Sequence, residues 1–231
     1  MPSSSRPPPC PPDRVIVFDL DDTLYLERDY VVSGLRAVGG WARARLGLDQ
    51  LERAMLDRFA DGARQRIFDV ALADLGQPAP PPLIARMLAV YRQHAPAIAL
   101  APDAAGYLAR RDAATACAIV TDGFLDAQRR KLRALGLHRR GVKLAVCTDR
   151  WGRDAWKPNR RAFDHVQAAF GLPAERFTYV ADNPTKDFVA PRRLGWRTVR
   201  IVRPDGLHAT LRAGDPADEA ERTIEDLDAL D

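Results

Sequence analysis

Five short runs of β-branched and apolar residues punctuate this chain: RVIVFDL (14–20), 113–123, VKLAVCT (142–148), RFTYVAD (176–182) and WRTVRIV (196–202). Each is too short and too uniformly apolar for a surface strand, and reads as a strand buried on both faces of a parallel sheet. Between the later runs lie helical stretches at 125–135, 159–170 and 186–194. That alternation dictates right-handed crossovers and a sheet covered by helices on both faces. The expected class is α/β, a doubly wound parallel sheet, and residues 221–230 add a short strand and helix at its end.

The first run is followed by something different. Over residues 28–94 the apolar positions follow helical spacing, with Leu35, Val38, Trp41, Leu46, Leu51, Met55 and Phe59 on one set of faces and Ile67, Phe68, Ala71 and Leu75 on another. Gly47, Asp61-Gly62 and the stretch 76–82 break the pattern, giving about four helices and no strand. The chain therefore divides into a helical insertion at 26–95 and a core at 13–25 and 96–231. Residues 1–12 (MPSSSRPPPCPP) are expected to be a mobile, disordered leader, because the proline run removes amide donors and favours extended backbone.

Composition narrows the function classes. The net charge is +4, but the basic residues are scattered, so no concentrated nucleic-acid footprint exists. Only four of the 35 basic residues are lysine (Lys131, Lys143, Lys157 and Lys186), which singles each out. Cys10, Cys117 and Cys147 show no zinc or disulfide spacing, which suits a reducing, cytoplasmic setting. No apolar stretch reaches the length of a membrane span, and the leader lacks the hydrophobic segment of a signal peptide.

In an open parallel sheet, ligands bind beyond the carboxyl ends of the strands. Polar residues at those ends are therefore expected to converge: Asp19, Asp21, Asp22 and Thr23 after the first strand, Thr121, Asp122 and Gly123 after the second, Lys157 before a helix, and Asp182, Asn183 and Asp187 after a later strand. So many carboxylates in one crevice repel one another unless a cation lies among them. Oxygen donors without nearby His or Cys favour Mg²⁺, which commonly shares its shell between protein carboxylates, water and substrate phosphate.

These residues resemble, in order, the motifs of the haloacid dehalogenase-like (HAD) superfamily. FDLDDTL (18–24) is similar to the first motif, IVTDG (119–123) to the second, Lys157-Pro158 to the third, and Asp182 with Asp187 to the fourth. The resemblance implies a Rossmann-like core with a helical cap, and a Mg²⁺-dependent phosphohydrolase. It gives Asp19 the role of nucleophile, Asp21 that of general acid and base, and Lys157 and Thr121 those of phosphoryl-charge stabilisers. Asp19, the Asp21 carbonyl and Asp182 would hold the metal, with Asp187 ligating through water or orienting the other ligands. Asp122 and Gly123 fall to substrate binding. Members that cleave carbon–halogen bonds generally lack an acid at the position of Asp21, so its presence favours phosphate chemistry. Ala181 departs from the glycine usual in the fourth motif.

The cap sets specificity in this family, which makes Tyr25, Glu27, Arg28 and the turn 61–66 candidates, with Arg64 the choice for a leaving group. The expected partner is a small phosphorylated metabolite, handled by a monomer or homodimer. A phosphomutase running on the same aspartyl-phosphate, or a non-catalytic phospho-acceptor module, are the alternatives. Trp151 and Trp156 read as packing residues, and His94, His138, His165 and His208 as surface or capping residues.

Overall fold

The computed structural model describes residues 11–230; the expected leader, apart from Pro11 and Pro12, and Cys10 lie outside them. Six parallel strands, β1 (Arg14–Phe18), β2 (Thr115–Thr121), β3 (Val142–Cys147), β4 (Phe177–Ala181), β5 (Arg197–Ile201) and β6 (Arg222–Ile224), form one sheet in the order β3-β2-β1-β4-β5-β6. β1 is central, flanked by β2 and β4. The chain builds outward from β1 to β3 on one side and then returns to place β4 on the other. That reversal opens a crevice at the carboxyl ends of β1 and β4.

The uninterrupted apolar runs have a direct cause. All seven residues of β2 and the last four of β1 are buried, because both sheet faces are covered. Alternate side chains go to opposite layers. Ile16, Phe18, Cys117, Ile119 and Val180 pack with α5 (Pro102–Arg110) and α6 (Leu125–Ala134). Val15, Val17, Ala118, Val120 and Tyr179 pack with α7 (Arg161–Phe170) and the five-residue α8 (Val189–Arg193). In the second layer Trp196 stacks on Phe177 at 4.6 Å and meets Phe163 edge-on at 5.6 Å.

Between β1 and β2 run the four expected helices, α1 (Glu27–Leu46), α2 (Leu51–Ala60), α3 (Ile67–Asp74) and α4 (Pro81–Gln93), numbered before α5 in chain order. They bury an apolar cluster of their own, including Leu35, Val38, Met55, Phe59, Phe68 and Met87. α1 and α2 approach so closely that any Cβ at Gly39 would collide with the Glu52 backbone and side chain. α5 is not marked by the sequence periodicity, and α8 is shorter than the stretch 186–194 suggests. No helix among the described residues is long and apolar enough to cross a membrane.

The turn that leaves β1 for the insertion is firmly held. Asp22 has a left-handed backbone (φ 51°), which an Asp tolerates better than most residues. Its carboxylate accepts from the Glu27 amide (2.7 Å) and the Leu207 amide (2.6 Å). Arg203 donates to the Thr23 carbonyl through Nε (3.0 Å) and Nη2 (2.6 Å), and forks onto Asp103 at 3.1 Å. Loop, α5 and the segment after β5 are thereby tied together behind the crevice.

Candidate active site

Asp19 is the first residue beyond β1, and its amide donates to the Val180 carbonyl at 2.8 Å, so its side chain projects from the carboxyl edge of the sheet. Lys157 reaches it with Nζ at 2.6 Å from Oδ1. The same ammonium lies 2.7 Å from Asp187 Oδ1 and donates to the Tyr179 hydroxyl at 3.1 Å. With a side chain only 1% exposed, Lys157 is a fixed cation among acids. Burial works against its charge, but Asp187 and Asp19 outweigh it and hold its pKa well above the usual lysine value.

Asp182, after β4, completes the acidic group. Oxygens of Asp19, Asp182 and Asp187 lie within 4.8 Å of one another. Burial pushes the Asp19 carboxyl well above the ordinary range, Lys157 pulls it down, and Asp187 and Asp182 push it up again. Asp182 is raised as well, by burial first, with His208 opposing and Asp187 adding. Lys157 for Asp19 and Asp187 and the His208 ring for Asp182 leave three buried carboxylates short of fixed positive charge, and hard oxygen donors in this number suit a divalent cation. Asp187 has both oxygens engaged, one by Lys157 and one by the Asn183 amide at 3.0 Å. Asp22, although near Asp182 and His208, spends its carboxylate on two backbone amides. The donor set therefore centres on Asp19 and Asp182.

Asp21 stands apart from this group with a cation of its own. Lys131 Nζ lies 2.6 Å from its Oδ1, the Tyr25 hydroxyl donates to the same oxygen, and Gln128 Nε2 donates to Oδ2 at 2.9 Å. Burial raises the Asp21 pKa, but the charge and hydrogen bond of Lys131, with those of Tyr25 and Gln128, win and leave it below the ordinary value. Two carboxylates two residues apart thus have opposite proton affinities without a cation in place, Asp19 raised and Asp21 lowered, so Asp19 depends on added positive charge to be ionised while Asp21 does not.

The second strand contributes less directly than its sequence suggests. The Thr121 hydroxyl is fully buried and accepts from Gln128 Nε2 at 2.6 Å, so it supports Gln128. Asp122 lines it, but accepts from Thr148 (2.8 Å) and the Lys157 amide (3.1 Å) and pairs with Lys186 (2.9 Å). It fixes the position of Lys157. Gly123 has φ 121°, and a Cβ there would press on Gln128 at 3.2 Å, so glycine suits the turn on both counts.

Arg64 does not reach the crevice. Its guanidinium lies over the Phe59 ring at 4.6 Å and donates to the carbonyls of Phe59 (2.9 Å) and Ala63 (3.0 Å), lining a separate cavity among the inserted helices. His208 requires a correction in the other direction. It is half-buried and engaged: Nδ1 lies 3.0 Å from Asp182 Oδ2, and its ring lines the crevice. No ligand spacing marks it because the partner is 26 residues away. Lys131, Gln128 and Lys186 also belong to the site, and the scarcity of lysine is the signal that points to two of them. Trp156 lines the crevice and donates to Asp149 at 3.1 Å, whereas Trp151 packs edge-on against His165.

The sequence pattern described as haloacid dehalogenase-like hydrolase matches residues 14–195. The chain belongs to the haloacid dehalogenase-like hydrolases. It is 32% identical over 195 residues to a phosphoserine phosphatase of Thermus thermophilus, covering 80% of this chain and 68% of that one. Over 220 residues it is 26% identical to a glyceraldehyde 3-phosphate phosphatase of Methanocaldococcus jannaschii, covering 92% and 94%. Among solved structures, the magnesium-bound HAD-hydrolase YfnB of Bacillus subtilis matches with TM-score 0.61 at 20% identity, over 95% of this chain and 97% of that one. The L-2-haloacid dehalogenase of Xanthobacter autotrophicus matches with TM-score 0.59 at 19% identity, over 94% and 96%. These structures share the HAD fold with the chain.

Glu27, at the start of α1, borders both the crevice and the cavity above it. Burial and then the charge of Asp21 raise its pKa from 4.5 to about 7, against the pull of Lys131. A carboxyl that binds its proton more tightly when folded contributes stability that is complete below the unfolded value and is lost as pH rises through the folded one. Glu27→Gln is therefore expected to flatten the decline in melting temperature between about pH 5 and pH 8. Scanning calorimetry checks this, and an unchanged slope in the variant counts against the assignment.

Proposed function

We propose that this HAD hydrolase is a Mg²⁺-dependent phosphatase that passes the phosphoryl group of a small phosphomonoester first to Asp19 and then to water. The observation that carries the reading is the contrast between Asp19, held beside Lys157 among acids, and Asp21, held by Lys131, Tyr25 and Gln128. When bound, Mg²⁺ supplies charge neutralisation at the transferring phosphoryl group. Asp19, Asp182 and the Asp21 carbonyl would hold it, with Asp187 keeping Lys157 and the loop after β4 in place.

In the first half, a carboxylate oxygen of Asp19 attacks phosphorus, the ester P–O bond breaks, and Asp21 gives its proton to the departing oxygen. Asp21 rests ionised; a phosphate dianion beside it raises its proton affinity and prepares it for this step. In the second half the Asp21 carboxylate takes a proton from water, the resulting hydroxide attacks the aspartyl-phosphate, and phosphate leaves with Asp19 restored. Lys157 offsets the charge on the equatorial oxygens, together with amides near Leu20 and Gly123. The phosphatase names of both relatives support this reading. Halide departs without a proton, so dehalogenation would leave Asp21 without a task.

The helices of residues 26–95 serve as the cap, closing over the core of residues 13–25 and 96–231 and limiting the crevice to substrate and the attacking water. Cys117 and Cys147 are buried and unpaired, in keeping with a cytoplasmic enzyme.

Phosphate release with and without Mg²⁺ tests the activity, and Asp21→Asn tests its division of labour. The variant is expected to lose about 10²- to 10⁴-fold in kcat on an alkyl phosphate, whose leaving oxygen needs a proton. On p-nitrophenyl phosphate, whose leaving group departs as the anion, the loss is expected to be at least about tenfold smaller. Equal losses on both substrates would remove Asp21 from protonating the leaving oxygen.

A further inference from the structure

The crevice is the smaller of two spaces that share part of their walls. It has a volume of about 290 Å³, while the cavity above it among the inserted helices has about 740 Å³. Glu27 and His208 border both, so they form the neck between them. A phosphoryl group on Asp19 would direct its ester oxygen through this neck. A space of 740 Å³ lies in the range that accepts ligands of tens of atoms, far more than a three-carbon alcohol fills.

The cavity walls say what kind of alcohol fits. Val31 and Leu35 of α1, Phe59 of α2, Phe68 of α3 and Ile84 and Leu88 of α4 line it. Its two arginines are already engaged. Arg64 lies on the Phe59 ring and bonds to two backbone carbonyls, and Arg66 pairs with Asp69 at 3.1 Å. At the neck stand the Glu27 carboxyl and the His208 ring, the latter held by Asp182 at 3.0 Å. Size, apolar walls and committed cations all disfavour compact polyanionic substrates.

We infer that the preferred substrate is the phosphomonoester of an extended, uncharged apolar alcohol, a long alkyl or an aromatic one, whose body occupies the cavity lined by Phe59, Phe68, Ile84 and Leu88. The inference rests on the phosphatase reading of the crevice and adds the leaving group to it. Binding of such a body would scale with the apolar surface removed from water.

The test is a series of n-alkyl phosphates from methyl to octyl, assayed with Mg²⁺ alongside O-phosphoserine and glyceraldehyde 3-phosphate. kcat/KM is expected to rise roughly fourfold per added methylene until the cavity fills, so that octyl phosphate exceeds propyl phosphate by at least about 10²-fold. Leu88→Trp, which narrows the cavity, is expected to reduce the octyl-to-methyl ratio at least about tenfold; Val31→Phe replaces it if that variant does not fold. A flat series, or phosphoserine or glyceraldehyde 3-phosphate as the best substrate by an order of magnitude, would overturn the inference while leaving the phosphatase reading standing. If no compound, p-nitrophenyl phosphate included, is turned over, the phosphatase reading fails. Calorimetric binding then still decides the cavity: octylphosphonate tighter than methylphosphonate by about 10²-fold supports it, and equal affinities overturn it.

Discussion

Asp19→Asn is expected to lower phosphatase turnover by at least about 10⁴-fold, because the amide offers no oxygen able to accept and release a phosphoryl group. The variant should fold normally. In the native protein the Asp19 carboxyl is buried and raised by Asp187 and Asp182, with Lys157 as its offset. Asn relieves that repulsion and leaves Lys157 paired with Asp187 at 2.7 Å. Without added metal, the melting temperature of the variant should equal or exceed that of the native chain. Steady-state phosphate release and a thermal melt measure the two effects. Activity within tenfold of the native enzyme would mean that the nucleophile lies elsewhere.

Lys157→Ala is expected to reduce both turnover and stability. Removing the cation takes away a fixed stabiliser of the transferring charge, a loss of about 10²-fold or more in kcat. It also leaves Asp19 and Asp187 buried without the ammonium that both face, which in comparable buried pairs costs about 3–5 kcal/mol. A divalent cation can take over part of that charge balance. Mg²⁺ should therefore raise the melting temperature of Lys157→Ala by more than that of the native chain. A rate loss below threefold, or an identical response to Mg²⁺ in the two proteins, would show that Lys157 does not serve the acidic group.

Both effects concern residues that local sequence points to, and the reason is topological. A parallel doubly wound sheet delivers the residues after β1, β2 and β4 to one edge whatever the side chains between them, so Asp19, Asp21, Asp122 and Asp182 could be placed together from strand ends alone. The buried strands were equally legible, because two covered faces demand unbroken apolar runs. α5 was not. It is a nine-residue helix whose apolar face shows only against the sheet and the chain end. Thr121 shows the converse limit, since its position at a strand end is legible but its contact with Gln128 is not.

The sequence by itself determined the α/β class, the helical insertion and the cluster of acids that calls for a cation, since each follows from periodicity or from position relative to a strand. Tertiary structure alone decided which charge balances which. Lys131 meets Asp21 across 110 positions, and Lys157 meets Asp19 across 138. His208 turns inward to Asp182, and Arg64 turns away to its own backbone. Proton affinity and cavity shape depend on burial and on neighbours a few ångströms away, and such distances are set only when helices and sheet pack together.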